Sequence, residues 1–476
     1  MPNLVAIDIG TSRIKCAFFD EKGTMSRLLS RRLARTASPN LQDVLVWAAT
    51  TDELLRELTA EPSPAIDAVV LTGNMHALLG VDPDGIPLTP AILWSDNSST
   101  EESDFLNLRY GNVLYDKFGN CSIPVFTLPK ILRMKKQSPG LYARINKFLQ
   151  SKDFISYSLT GHFVTDPTDA SGTLLMELAN SSWSEELLDD LELDSEKLPD
   201  ILPSASFCGK VTAEAARRTG LREGTPVVTG SGDLSSAALG GGVNDETLSL
   251  TLGTAGQLLG SGERGAGRKL AGKLFVFAHA DPEHELYLGS VPSGGFSFEW
   301  LARIHHLSVD DFFRQAEKAQ FDESLPIFLP YLLGRGAPYM DYEPNGAWLH
   351  LKASHTLPDL CLGAIFGTLC PLRQCTDMLE ALTGPRPNLM LQALASREKP
   401  VRECAGRLFT QQKFLPENSE ASLLGAAVIG MTALEVYPSI SEAEKNMVRG
   451  QAAEPSGLNS TAARLYARFR EQKVIS

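Results

Sequence analysis

One strand–turn–strand pattern occurs twice in this chain, and nothing else in the sequence restricts the fold as much. Leu4-Val5-Ala6-Ile7-Asp8-Ile9-Gly10-Thr11-Ser12-Arg13-Ile14-Lys15-Cys16-Ala17-Phe18-Phe19-Asp20 reads as a β-branched run, a polar Gly-Thr-Ser turn and a second apolar run. Near the middle, Leu248-Ser249-Leu250-Thr251-Leu252-Gly253-Thr254-Ala255-Gly256-Gln257-Leu258-Leu259 repeats the arrangement with Gly-Thr again at the bend. A recurrence at that separation predicts two halves of similar design. With 476 residues the chain is long enough for two large lobes.

A glycine at such a bend lets backbone come close to a ligand, and successive N–H groups with Thr and Ser hydroxyls form an anion cradle, for which phosphate is the natural guest. Either turn alone reads equally well as a tight hairpin; their repetition favours the cradle. The copies differ at one informative place. Asp8 stands two residues before Gly10, whereas Thr251 stands two residues before Gly253. Only the first supplies a carboxylate, so Asp8 is the candidate to hold Mg²⁺ beside a polyphosphate.

Between the hairpins, Thr225-Pro226-Val227-Val228-Thr229-Gly230-Ser231-Gly232-Asp233 predicts a strand ending on a glycine turn, followed by a small-residue helix over Leu234–Leu239. An Asp there reads as a helix N-cap when taken alone. So close before the second cradle, a catalytic carboxylate is the stronger reading of Asp233.

The formal charge of −13, from 57 acidic and 44 basic residues with no basic block, speaks against nucleic-acid or membrane-surface partners. Seven cysteines in odd number, without a Cys-x-x-Cys pair, suit a reduced, cytoplasmic protein. The apolar stretch Ala421–Leu434 is shorter than the ~20 residues of a membrane span and predicts a buried helix.

The three motifs Asp8-Ile9-Gly10-Thr11-Ser12, Gly230-Ser231-Gly232-Asp233 and Thr251-Leu252-Gly253-Thr254 together resemble the FGGY carbohydrate kinases, most closely xylulokinases and the related gluconokinases. Gly73-Asn74-Met75-His76 and Ile92-Leu93-Trp94-Ser95-Asp96 are similar to that family's sugar-contacting segments. Pro129-Lys130-Ile131-Leu132-Arg133, Ser151-Lys152-Asp153, Asp166-Pro167-Thr168-Asp169-Ala170-Ser171, Leu333-Gly334-Arg335 and Ser422-Leu423-Leu424-Gly425 follow in the family's order.

The resemblance implies an α/β protein of two ribonuclease-H-like lobes of the actin and hexokinase ATPase type, around a central cleft. Residues 1–242 form the sugar and catalytic-base lobe, and residues 243–476 the nucleotide lobe. It implies ATP-dependent phosphorylation of D-xylulose, with gluconate or another pentulose or polyol as alternative acceptors. Asp233 becomes the general base, and Asn74, Met75, His76, Trp94 and Asp96 face the sugar. Gly10, Thr11, Ser12, Lys15, Gly253, Thr254, Gly295, Ala393 and Leu394 bind nucleotide, and Asp8 binds Mg²⁺. The implied partners are sugar and ATP, and a homodimer is admitted. The sequence departs from the family where glycines usually meet adenosine: here stand Gln392-Ala393-Leu394-Ala395-Ser396. That departure raises a rival of another class, a catalytically weak sugar sensor. Asn74 also replaces a common Gln, Ser98 a common Arg, and Arg133 a signature Trp.

Overall fold

The structure, a computed structural model, describes residues 2–34, 36, 38–60, 64–453 and 460–471. Its first sheet contains β1 (Leu4–Ile9), β2 (Arg13–Phe19), β3 (Met25–Arg32), β4 (Ala68–Gly73), β5 (Phe207–Lys210) and β6 (Pro226–Gly232), in spatial order β5-β6-β4-β1-β2-β3. β1, β2 and β3 form an antiparallel meander, and β1, β4 and β6 run parallel. The second sheet contains β7 (Thr247–Leu252), β8 (Gly256–Glu263), β9 (Phe275–Ala278), β10 (His284–Val291), β11 (Asn388–Ala393), β12 (Gln412–Pro416) and β13 (Gly450–Ala452), in order β9-β10-β8-β7-β11-β12-β13.

The second sheet repeats the first. β7, β8 and β10 are antiparallel neighbours, β7, β11 and β12 are parallel, and β13 closes the far edge antiparallel to β12, as β5 does beside β6. β9 is an addition at the outer edge. The two halves expected from the repeated turn are therefore present as duplicated topology.

β1 is apolar on both faces because both faces are covered. Val5, Ile7 and Ile9 pack against Trp47, Leu54, Leu55 and Leu58 of α1 (Val44–Thr59). Leu4 and Ala6 face the other way. Several helices follow: α2 (Ser151–Thr160), α3 (Pro167–Ser171), α4 (Asp233–Gly240), α5 (Gly295–Ile304), α6 (Leu357–Thr383) and α7 (Ala421–Ala433). α6 builds the core of the second half, with Ile365, Leu369, Leu372 and Leu379 against Leu248, Leu250, Leu389 and Leu391.

α7 does not stay with its own half. Leu423, Leu424, Ala427 and Val428 cluster with Leu4, Ala6, Val70 and Val228 on the first sheet. The C-terminal half of the chain thus lends a helix to the N-terminal sheet. α7 also crosses α4 with glycine meeting backbone from each side. A Cβ on Gly425 would lie 1.8 Å from Ser236 O, and one on Gly240 would lie 1.9 Å from Ala421 O.

Candidate active site

Register determines which residues meet at the strand ends. Ile9 pairs with Gly73, and Gly73 with Gly232, so β1, β4 and β6 end in one row. Gly10, Asn74 and Asp233 begin the next row, at the carboxyl ends of parallel strands where ligands of open α/β sheets bind. β6 reaches this row through a bulge between Val228 and Ser231, where Gly230 has φ +74° and a Cβ would lie 1.7 Å from Leu71 O. Only glycine permits that bend.

Asp233 is the first residue of α4, and Gly232 occupies the N-cap position, so the cap reading fails. The Asp233 carboxylate accepts from Met75 N at 3.4 Å. Burial raises its pKa to about 6, against the lowering effect of N–H donors from Met75, Leu234 and its own backbone. Behind it, Gly232 N donates to Thr168 Oγ1 at 2.8 Å, and that hydroxyl donates to Asp166 Oδ2 at 2.7 Å.

Asp8 faces the same region. Its pKa is raised to about 7, first by burial and then by the Asp233 and Glu420 charges, with Lys15 opposing. Two desolvated carboxyls in one another's field are a place where a divalent cation relieves repulsion. Among the described residues no group of three or more His, Cys, Asp or Glu side chains could hold a metal. The Asp8 carboxylate beside a phosphate-type turn fits an ion shared between one carboxylate and substrate phosphates, the usual mode for Mg²⁺.

The two turns form matching cradles. Gly10 N bonds Arg13 O at 3.0 Å and Gly253 N bonds Ala255 O at 3.0 Å. Within the described residues the N–H groups of Thr11, Ser12, Thr254 and Ala255, at the two tips, have no protein acceptor. Successive free N–H groups of this kind bind anions. The Lys15 ammonium lies 2.5 Å from Glu420 Oε2, a partner from the far end of the chain. Gly295 N donates to Gly253 O at 2.7 Å, so this residue supports the turn by close packing, and a Cβ there would lie 2.4 Å from that oxygen. Leu394 packs toward the start of α5, its Cδ1 3.0 Å from where a Cβ on Gly295 would sit.

Ala393 ends β11 in register with Leu252, as Gly73 ends β4 in register with Ile9. Its φ of 53° and ψ of −125° belong to glycine, so the glycine-type bend survives the substitution at the expense of strain. Ala393→Gly is expected to stabilise the protein by about 1 kcal/mol, strain relief less the entropy of the added glycine. Thermal unfolding checks this.

On the sugar side, His76 is held at every group but one. Its N donates to Gln150 Oε1 at 2.7 Å, its carbonyl accepts from Lys130 Nζ at 2.8 Å, and Nδ1 donates to Gly172 O at 2.8 Å. Burial and the Lys130 charge lower its pKa to about 4, so the ring is neutral and Nε2 presents a lone pair. Met75 is wedged under the Asp233 turn, where a Cβ on Gly232 would lie 2.5 Å from its Cγ. Trp94 is 51% exposed, and its Nε1 donates to Thr11 Oγ1 at 3.3 Å, linking sugar segment to phosphate turn. Asp96 accepts from Ser98 N at 3.0 Å and from the Ser98 hydroxyl, to which Arg133 also donates. A guanidinium is thus brought to Ser98 from another position. Asn74 is buried, and its Nδ2 donates to Ile9 O at 2.9 Å, so it ties β1 to β4.

Lys130, Gln150 and Thr168 were not assigned roles by their spacing. The available signal was a cation or amide inside otherwise apolar sequence, such as Lys130 after Phe126-Thr127-Leu128-Pro129. Lys130 is fully buried and also donates to Leu93 O at 3.0 Å.

Residues 3–240 match the N-terminal domain of the FGGY family of carbohydrate kinases, and residues 249–434 match the C-terminal domain. The xylulose kinase of Staphylococcus xylosus is 31% identical over 390 residues, 80% of either chain. The gluconokinase of Bacillus subtilis (strain 168) is 24% identical over 463 residues, 92% of this chain and 90% of that one. The crystal structure of ligand-bound xylulose kinase from Lactobacillus acidophilus has a TM-score of 0.89 at 24% identity, covering 98% of this chain and 96% of its own.

Proposed function

The chain belongs to the FGGY family of carbohydrate kinases, and from that premise we propose that it transfers the terminal phosphoryl group of ATP to a hydroxyl of D-xylulose. The observation that carries the chemistry is Asp233: a half-buried carboxylate with its pKa raised to about 6, at the start of the helix after β6, bonded to Met75 N and acting on Asp8 through its charge. A general base works best with a pKa near the operating pH. Asp233 takes the proton of the attacking hydroxyl. His76 Nε2 accepts a hydrogen bond from a second sugar hydroxyl, Asp96 and Trp94 flank the acceptor, and Met75 packs beside it. The free amides at Thr11, Ser12, Thr254 and Ala255 receive phosphate oxygens. Asp8 holds Mg²⁺, which when bound compensates phosphoryl charge.

A catalytically weak sugar sensor is not carried forward, since Asp8, Asp233 and both amide turns are retained. The seven cysteines are free, and a cytoplasmic location suits them. Among the described residues no helix is long and apolar enough to cross a membrane.

Gluconate is the second acceptor reading, favoured by the Arg133 guanidinium at the Ser98–Asp96 pair, where it could meet a sugar-acid carboxylate. A panel of pentuloses, hexonates and polyols scored by ADP release decides. D-xylulose is expected to give the highest kcat/KM, and a larger value for gluconate would reassign the acceptor.

The pH profile follows from Asp233. A carboxyl raised to about 6 is a base above that pH and an acid below it. At constant Mg-ATP, kcat/KM is expected to hold above the raised pKa and to drop about tenfold per unit below it. A flat profile between pH 5 and 7 would remove Asp233 as the titrating base.

A further inference from the structure

β9 is the outer edge strand of the second sheet, and an edge strand exposes a row of unpaired backbone groups. Here three side chains of the first half cover that row. Asn120 reproduces one rung of a β-ladder: its Oδ1 accepts from Val276 N at 3.0 Å and its Nδ2 donates to Val276 O at 2.7 Å. Two residues on, Ala278 N donates to Ser171 Oγ at 3.1 Å, and two further on, Ala280 N donates to Ser235 Oγ at 3.2 Å. Val276 and Ala278 lie on the free edge of β9 and Ala280 in the bend two residues past its end, so the three contacts form a zip that runs along the edge and just beyond it. All three side chains are buried, none more than 2% exposed.

Each rung leads to the reaction site. Ser171 precedes Gly172, whose carbonyl orients His76. Ser235 lies in the first turn of α4, two residues after Asp233. The side chains of Phe275 and Phe277 reach the same acceptor side, with Phe277 6.0 Å from the His76 ring and both about 6 Å from Phe126, at 6.3 and 6.2 Å. We infer that Asn120, Ser171 and Ser235 are positioning residues that clamp the edge of the nucleotide-bearing sheet to the acceptor side and set the separation between the second phosphate turn and Asp233.

The inference rests on the kinase reading for its consequence. Two bound substrates react only when held in near-attack geometry, and a misplacement of ~1 Å lowers the rate by about 10²-fold without weakening either binding event. Loss of the zip should therefore lower kcat and leave each KM in place.

The test is the double variant Ser171→Ala/Ser235→Ala in the full chain. In the unsubstituted protein without ligands, the amides of Val276, Ala278 and Ala280 are expected to exchange slowly with deuterium, and in the variant those of Ala278 and Ala280 quickly. The variant's kcat for sugar phosphorylation is expected to fall by about 10²-fold with both KM values within about threefold. Ser171→Ala/Ser235→Thr, which restores one hydroxyl, should recover part of that loss, whereas a purely structural role would change the melting temperature and not the kcat-to-KM split. Rapid exchange at the three amides of the unsubstituted protein overturns the inference, and so does a folded double variant with kcat within about twofold of normal. Should the double variant not fold, Asn120→Ala, which removes both bonds of its rung, is held to the same criteria, exchange being read at Val276. If the unsubstituted protein phosphorylates no sugar, the kinase reading fails, and exchange still decides whether the zip exists.

Discussion

Asp233→Asn is expected to keep both substrates bound and to lower kcat by a factor on the order of 10²–10⁴, the usual worth of a general base. Asn has nearly the same shape and can still accept from Met75 N, so the turn after β6 should hold. What disappears is the proton acceptor, raised to about 6 by burial. Calorimetry with ADP and with sugar, beside steady-state turnover, separates the two effects. Near-normal turnover in this variant would move the base elsewhere in the cleft.

Gly425→Ala is expected to destabilise the protein by about 3 kcal/mol, the upper part of the range for overpacking a core. The new methyl would lie 1.8 Å from Ser236 O, which is backbone and cannot rotate away. α4 and α7 would have to separate, and α4 carries Asp233 at its start, so activity should fall along with stability. Gly140→Ala is the control: an added Cβ there meets nothing within 4 Å. It should be neutral or stabilise by roughly 0.5–1 kcal/mol through a less flexible unfolded chain. Denaturant midpoints at constant m-value compare the two, and equal midpoints would refute the close-crossing argument.

Much of the site was legible because local patterns encode it. The glycine-threonine bends, the carboxylate of Asp8 against Thr251, and the strand ending at Asp233 are contiguous segments whose conformation follows from their own residues. The partner of Lys15 was not legible, for the opposite reason. A lysine just after a phosphate turn reads as a phosphate ligand, but its partner Glu420 lies 405 residues away. Asn74 was drawn inward by a carbonyl at the end of β1, which its neighbours in sequence do not reveal. At Ala393 the residue type does not reveal the backbone, which the flanking strand register holds in glycine's conformation.

The amino-acid order by itself determined the duplicated halves, the glycine-threonine chemistry of each turn and the carboxylate at the strand end after β6, since period, glycine placement and ionisable groups act within a few residues. Tertiary structure alone decided that α7 crosses to the first sheet, that Lys15 is neutralised, and that three side chains close the edge of β9. A polar group buried by folding must take whichever complementary partner the packing brings within about 3 Å, and no local pattern specifies which partner that will be.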